Sequence, residues 1–573
     1  MKSLRIAALS GAMCLLTAPA FSATPGDLAI TWMESTYASG DNLPVTWNMW
    51  WGNNGDSWSL LDNGTVICEG TLTPNGENAQ TATCTQDFAI GAHSLVAKLC
   101  LADDCSSSAA TVFSVGNDNA VSDKTPWEYL DNSEWEARKA AGMREKNKPY
   151  NNTDGKRVAT YFVEWGVHGR QFYPKDIPVE NLTHIMYGFI PICGPNTSLT
   201  GTAKSALDQQ CADKEDYQVV VHDKYAALEK NDMDATGSWD DPVKGIFAEF
   251  YRMKMTYPDV KIIPSVGGWT LSDPFYEIAS NPAARATFIT SIIALIDQYD
   301  FFDGIDIDWE FPGGGGANST LGSPDDGKNF AILMQELRAA LDELEIENGR
   351  TYELTAAVSG GVSKISEIDW ENAIDSMDQV NVMTYDYYGT WDQTYGHQTG
   401  IYDTDTRSTL VDGSNANDVV NYLTTKGVAA NKISVGVAMY GRGWTGITNG
   451  DASGPFVETA TGGTPITGLE ANGFWEDGIV DYQGIEENQL GGEDGQGANG
   501  FELFWDDIAK ATYLWNETTG TFISFDDKRS VKAKGDFVTE KGLGGIFSWE
   551  IDSDNGTLLN AMHEGLGHTE KTQ

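Results

Sequence analysis

The sequence predicts a multidomain chain: a (β/α)8 TIM barrel preceded by an all-β sandwich of fibronectin-III/immunoglobulin-like type. Three observations carry that prediction. From residue 157 onward, eight apolar strand-like runs alternate with amphipathic helical patterns, the rhythm of a barrel. From about 24 to 115, short alternating runs are separated by Asn, Gly and Asp turns, the pattern of a sandwich. And 573 residues exceed what one ordinary core organises, so two or three domains are expected.

In chain order, residues 1–23 carry Lys2 and Arg5, an apolar stretch from Ile6 to Leu16, and the small-residue end Ala20-Phe21-Ser22-Ala23, which together read as a secretory signal. The sandwich, 24–115, contains the runs Leu28 to Trp32, Val45 to Trp51 and His93 to Leu101. In Pro44 to Trp51, strand parity puts Val45, Trp47, Met49 and Trp51 on one face and Thr46, Asn48 and Trp50 on the other. Trp50 is therefore the exposed tryptophan of the run, whereas Trp32 shares its parity with Leu28 and Ile30, which favours burial. Residues 116–156 are polar and charged and read as a linker, with Ser133-Glu134-Trp135-Glu136 as a capping box opening a short helix to about Lys146.

The barrel is assigned to 157–444 and 521–565. Its strands are expected at 157–163, 182–190, 260–267, 303–309, 353–359, 379–385, 432–439 and 543–549. Between the last two lies a Gly- and acid-rich insertion, 445–520. Its stretch 491–500 has neither the Lys nor the helix context of a phosphate loop.

The fourth run is the chemically informative one. Residues 303–310 read Asp-Gly-Ile-Asp-Ile-Asp-Trp-Glu, which places Asp306, Asp308 and Glu310 at spacings of two. On a strand they share a face, with Cα atoms about 6.6 Å apart per step, while Ile305, Ile307 and Trp309 occupy the other. Burying several unpaired carboxylates costs far more than the Ile and Trp recover, so the acids must keep protons. Mutual repulsion raises at least one pKa, which is what a general acid needs near neutrality. A divalent-metal site or a solvated edge strand are the bland alternatives. Phe311-Pro312-Gly313-Gly314 then closes the strand into a loop, as at the catalytic end of a barrel strand.

Composition narrows the function further. The formal charge of -46, from 83 acidic and 37 basic residues, argues against nucleic acid and anionic membrane surfaces as partners. The apolar run of the leader is too short to span a bilayer, and no later segment reaches ~18 uninterrupted apolar residues, so a secreted, soluble protein is expected. Of seven cysteines Cys14 falls in the leader, leaving six, which suit three disulfides in an oxidising compartment. The seven histidines show no metal-ligand spacing, so no metal and no cofactor is expected. A monomer is the default.

Beyond the acidic strand the chain carries Tyr161-Phe162-Val163-Glu164-Trp165-Gly166, Ser265-Val266-Gly267-Gly268-Trp269, Met383-Thr384-Tyr385-Asp386, Met439-Tyr440-Gly441-Arg442-Gly443-Trp444 and Phe547-Ser548-Trp549-Glu550. With these motifs it resembles the family 18 glycoside hydrolases, in particular secreted bacterial chitinases of the A type, from about residue 24 to 565. The resemblance implies chitin and N-acetylchitooligosaccharides as substrates, and a small α+β insertion walling the cleft. It implies Glu310 as general acid and then base, with the substrate's own 2-acetamido carbonyl as nucleophile, an exception to the two-carboxylate scheme. Asp308 would stabilise the charge on the acetamido nitrogen, and Asp306 would hold a proton shared with Asp308. Tyr385 would hold the acetamido oxygen, and Asp386, Tyr440 and Arg442 would orient the distorted sugar. Trp549 would floor the reacting sugar, while Trp165, Trp269, Phe189 and Met383 line subsites and Glu476 bonds substrate from the insertion. Trp50, Trp32, Tyr225 and Trp239 match surface aromatics that guide the polymer. The resemblance also implies the pairs Cys100-Cys105 and Cys193-Cys211, each close in sequence, and leaves Cys68-Cys84.

The reading is a secreted chitinase cleaving β-1,4 N-acetylglucosamine linkages with retention, processively from a chain end. A noncatalytic chitin-binding lectin on the same scaffold is disfavoured by the acid at Glu310. An endo-β-N-acetylglucosaminidase acting on glycoproteins is disfavoured by the aromatic N-terminal domain and the insertion. Fold alone could not separate these options.

Overall fold

A computed structural model of the chain describes residues 24–31, 33, 36–38, 42–74, 79–89, 91–102, 104–116, 132–230, 244–391, 394–404, 413–457 and 459–571. The leader expected at 1–23, Trp32 and Trp239 lie outside the described residues. The described residues form two compact units, one up to 116 and one from 132.

The first unit is a sandwich. One sheet holds Ala29–Ile30, Asn42–Met49 and Gln80–Asp87; the other holds Thr36–Ala38, Thr111–Gly116, Gly91–Leu101, Ser57–Asp62 and Thr65–Thr71, with Asp104–Ser107 added to Gly91–Leu101. Alternate side chains fill the core between them: Val45, Trp47 and Met49 from one sheet, Leu60, Leu95, Ala97, Leu99 and Phe113 from the other. Cys68 and Cys84 join the two sheets, and Cys100 and Cys105 face each other across a hairpin. Parity holds only to Met49, where the strand ends. Trp51, expected on the buried face, is 75% exposed, and Trp50 is 54% exposed. Their rings lie 6.4 Å apart. Beyond Met49 the backbone turns, reaching φ 107° at Gly52, so alternation no longer assigns faces.

In the second unit eight parallel strands close into a barrel: β1 (Arg157–Val163), β2 (His184–Ile190), β3 (Lys261–Gly267), β4 (Gly304–Asp308), β5 (Glu353–Ser359), β6 (Gln379–Met383), β7 (Ile433–Ala438) and β8 (Gly545–Trp549). All eight coincide with the expected runs, their ends displaced by at most two residues. Helices such as Pro282–Gln298 and the amphipathic Asp326–Asn348 cover the outside. Pro282 opens the former at the position where a missing N–H costs nothing, and the Asn281 side chain accepts from Ala283 N. Cys193 and Cys211 close the loop that follows β2.

Two connections differ from expectation. The short helix is Ser133–Ala141, stopped by Gly142 at φ 81° rather than running to Lys146. The capping box does not form, because Asn132 takes the cap position and its side chain donates to Thr256 Oγ1 at 3.4 Å instead of capping the helix, and Glu134 pairs with Arg138 one turn on. Trp135 is buried and donates from Nε1 to Glu249 Oε2 at 2.8 Å, on helix Gly245–Thr256. Tyr150–Asn151 also pairs with Thr569–Glu570. From residue 132 the expected linker is thus part of the barrel unit. The insertion is an antiparallel sheet of six strands, Tyr440–Thr448, Thr461–Pro465, Ile479–Asp481, Glu502–Asp506, Ala511–Asn516 and Thr521–Phe525, with only short helical turns. It is wider than 445–520 because Tyr440–Thr448 leaves β7 almost without a loop, so the apolar run gives no sign of the change of sheet. No helix among the described residues is long and apolar enough to cross a membrane.

The floor of the barrel is closed by charge. Glu353, at the start of β5, accepts from Arg157 Nη2 at 2.7 Å, from Lys261 and from His184 Nε2 at 3.1 Å, all first residues of their strands. Burial alone would raise its pKa, but the His184 hydrogen bond and the charges of Arg157 and Lys261 hold it well below the usual carboxylate range. A depressed folded pKa stabilises the fold above the unfolded value of about 4.3, and that stability is lost as pH falls further. Glu353→Gln, which takes the shared carboxylate from partly buried Arg157 and Lys261, should cost about 2 kcal/mol at pH 7 in a denaturant titration. The deficit should shrink as the pH is lowered below about 4.

Candidate active site

The acidic strand enters the barrel interior in register with its neighbours: Ser265 of β3 and Thr355 of β5 lie beside Asp306. Their hydroxyls can therefore reach it directly. Ser265 Oγ donates to Asp306 Oδ2 at 2.7 Å, Thr355 Oγ1 donates to Oδ1, and Tyr161 Oη donates across from β1 to Oδ2 at 2.9 Å. On the opposite face Trp309 packs outward on Phe275, Tyr276 and Phe330 of the helical layer.

Asp308 and Glu310 are held differently. Asp308 Oδ1 is buried with no hydrogen-bond partner. The proton expected to be shared with Asp306 has no bond to carry it: the inward positions of a strand are about 6.6 Å apart, and three hydroxyls already occupy Asp306. Burial, then the charges of Glu310 and Asp306, push the Asp308 carboxyl well up. Glu310, past the strand end and partly exposed, is pushed up to about 8 by burial and then by Asp386. Burial also raises Asp306 against the pull of its three donors. The Glu310 backbone is pinned, since its N–H donates to Ser272 Oγ at 3.0 Å while Ser272 donates to Gly268 O at 2.9 Å. Gly267 and Gly268 (φ 110° and 92°) allow this crossing: a Cβ on Gly267 would stand 2.2 Å from Asp308 O, and one on Gly268 2.7 Å from the Phe189 ring.

Opposite lies a second charged group. Arg442 grips Asp386 with two donors, Nε to Oδ1 and Nη2 to Oδ2 (2.8 Å), and Tyr440 Oη donates to Oδ1 at 2.6 Å. Asp386 sits at φ 59°, its N–H directed to Gln398 Oε1 at 3.4 Å, and Gln398 donates to Tyr440 O at 2.9 Å. Tyr440 and Arg442 follow the run expected at 432–439, in the stretch assigned to the barrel, but belong to the first strand of the insertion sheet. Tyr385 is buried between Tyr440 and Phe547.

The aromatics converge on Trp549. Phe189 stacks on it at 5.6 Å, Tyr161 packs at 5.3 Å and Trp165 at 6.3 Å. Met383 joins the same interior cluster. Trp269 is exposed and packs instead against Phe311. Tyr225 stands exposed on a short π-helical turn, Tyr225–Glu229. Glu476 is exposed beside Trp475, its charge felt by Arg442 and Glu550.

Several residues here were not legible beforehand. Trp391 is exposed with the Arg442 guanidinium 4.6 Å over its ring, and its neighbours in sequence gave no sign of it. Arg170 gathers Asp481 (2.9 Å), Glu550 (3.1 Å) and Asp552 (3.8 Å), and lies under the Trp475 ring. Burial, then Asp552, raise Glu550, which directly follows Trp549. Ser272, in the polar stretch Thr270-Leu271-Ser272-Asp273, and Glu164, alone among apolar residues, reveal their roles only through their partners.

With this geometry in hand, two family models match the chain: "Glycosyl hydrolases family 18" over residues 157–554 and "Chitinase A, N-terminal domain" over 36–152. A chitinase A from Pseudoalteromonas piscicida is 41% identical over 548 residues, 92% of this chain and 64% of the relative, so the chain spans just under two thirds of that protein's length. A chitinase from Autographa californica nuclear polyhedrosis virus is 38% identical over 569 residues, 95% of this chain and 96% of the relative. Among solved structures, a chitinase from Bacillus thuringiensis superposes with a TM-score of 0.63 at 30% identity, over 73% of this chain and 71% of that one. The first family match spans the whole barrel, acidic strand included, and on that ground the chain belongs to family 18 of the glycosyl hydrolases.

Proposed function

We propose that the protein is a chitinase, hydrolysing β-1,4 bonds between N-acetylglucosamine units with retention of configuration and with the substrate's acetamido group as nucleophile. The observation that carries the reading is two acids set side by side in different surroundings: a partly exposed Glu310 at the strand end, its carboxyl pushed up to about 8 by burial and then by Asp386, and a buried Asp308 whose Oδ1 has no partner. Glu310 gives its proton to the glycosidic oxygen and, as carboxylate, activates water in the second step. Asp308 accepts the acetamido N–H as that nitrogen gains positive charge, an interaction stronger in the transition state than in the ground state. Tyr385 fixes the acetamido oxygen for attack, and the face of Trp549 supports the reacting sugar. Burial, then the charge of Glu310 and last that of Asp306, itself held by three hydroxyls, raise the affinity of Asp308 for a proton or a positively charged donor.

Adjacent exposed Trp50 and Trp51 support a chitin-binding role for the sandwich unit. The insertion sheet, which carries Tyr440 and Arg442 into the site, supports a walled cleft and processive action on a long polymer. The leader pattern and three disulfides support export.

Wild type and Glu310→Gln should be compared on N-acetylchitooligosaccharides, with the product anomer followed by proton NMR. Initial release of β-anomer, with kcat lowered ~10³-fold or more in the variant while chitin binding persists, is expected. Binding without turnover by wild type would make the protein a lectin, and α-anomer as the first product would rule out retention. The pH dependence of kcat/KM offers a second check. Because the acid form of Glu310 is the active one, activity should fall as pH rises through about 8. Asp386 raises Glu310 by repulsion, so Asp386→Asn should move that alkaline limb to lower pH as well as reduce kcat. An unmoved limb would mean that another group sets it.

A further inference from the structure

Glu164 is a buried carboxyl, 4% exposed, that the chemistry above does not use. It follows the last residue of β1 and precedes Trp165. Both of its oxygens are taken: Tyr187 Oη, from β2, donates to Oε1, and Asp223 N–H donates to Oε2 at 2.9 Å. Asp223 is the hinge of the turn that follows. Its Oδ1 accepts from Ala226 N at 3.0 Å and its Oδ2 bonds His168 Nε2 at 2.6 Å, so the two ends of this contact reach back to the turn Glu164–Val167. Two residues after Asp223 stands Tyr225, 52% exposed on an otherwise polar surface. The turns Glu164–Val167 and Tyr225–Glu229 pack against each other.

A buried carboxyl group is costly to keep and is retained where it holds something in place. Here one side chain joins the loop that carries exposed Trp165 to the turn that carries exposed Tyr225. We infer that Glu164 is a positioning residue that sets Tyr225 relative to Trp165, so that the two rings form one track for a sugar polymer longer than the cleft itself. Trp165 has anchors of its own in Phe189 and Trp549. Loss of Glu164 therefore displaces Tyr225 and leaves the cleft intact. The inference rests on the proposed polysaccharide substrate.

The test uses the full chain. Glu164→Met keeps the volume but removes both acceptors, whereas Glu164→Gln can turn its oxygen to the Asp223 N–H and its amide to the Tyr187 oxygen. Retention on insoluble chitin and its hydrolysis should fall roughly 2- to 10-fold in Glu164→Met, the scale of one lost aromatic contact. Tyr225→Ala should match it, the double variant should be no worse than Tyr225→Ala alone, and Glu164→Gln should restore most of the loss. Turnover of N-acetylchitotetraose should be unchanged in Glu164→Met and Glu164→Gln. Equal losses on the tetramer, multiplicative losses in the double variant, or no change on chitin would each overturn the inference. If wild type shows no turnover, the proposed activity fails, yet retention on chitin by the same variants still decides the role of Glu164. Should Glu164→Met not fold, as judged by its melting transition, Tyr187→Phe with Tyr225→Ala repeats the comparison through the other bond.

Discussion

A carboxylate taken out of water needs a proton or donors, and the site of this protein is organised by how three acids on one short strand meet that demand. β4 brings Asp306 and Asp308 into the barrel interior and leaves Glu310 just past its end. Asp306 receives three hydroxyl donors from β1, β3 and β5, Asp308 keeps one oxygen unmet, and Glu310 borders the opening with its backbone fixed by Ser272. The gradient from satisfied to unsatisfied runs from the depth of the barrel to its mouth. That gradient gives three acids three different settings along five residues, and the proposed division of roles rests on it.

The surrounding barrel serves this arrangement with opposite chemistry at its two ends. At the floor, Glu353 is ringed by Arg157, Lys261 and His184, a compensated cluster whose role is to hold strand ends together. At the mouth, acids outnumber bases: Arg442 pairs with Asp386 while Asp308 and Glu310 stand nearby, and the Arg170 cluster sets Asp481, Glu550 and Asp552 against a single guanidinium. Excess negative charge in a partly dry site keeps protons bound, which is the condition the acid role proposed for Glu310 requires. A further buried pair, Lys534 with Asp526 at 2.6 Å, ties β7 to the end of the insertion: Lys534 donates to Gly436 O at 2.9 Å and Asp526 accepts from Ala438 N at 3.0 Å. The wall that carries Tyr440 and Arg442 is thereby fastened to the strand it grows from.

The sequence by itself determined the eight barrel strands, the sandwich and the acidic strand, because each is written in local order. Period-two alternation, apolar runs of strand length and the Asp306-Asp308-Glu310 spacing are properties of neighbours in the chain, and a strand's geometry converts them directly into faces. Where local geometry stopped, so did legibility. Trp51 lost its parity when the strand ended at Met49, and the capping box at Ser133 gave way to a cap at Asn132 with Glu134 drawn to Arg138. Only the tertiary structure decided that Asp306 is saturated and Asp308 is not, since the donors come from residues 161, 265 and 355. It likewise placed Trp391 over Arg442 and joined Glu164 to Asp223. Burial and hydrogen bonding between strands distant in sequence set the state of each acid, and no local pattern records who the distant neighbour will be.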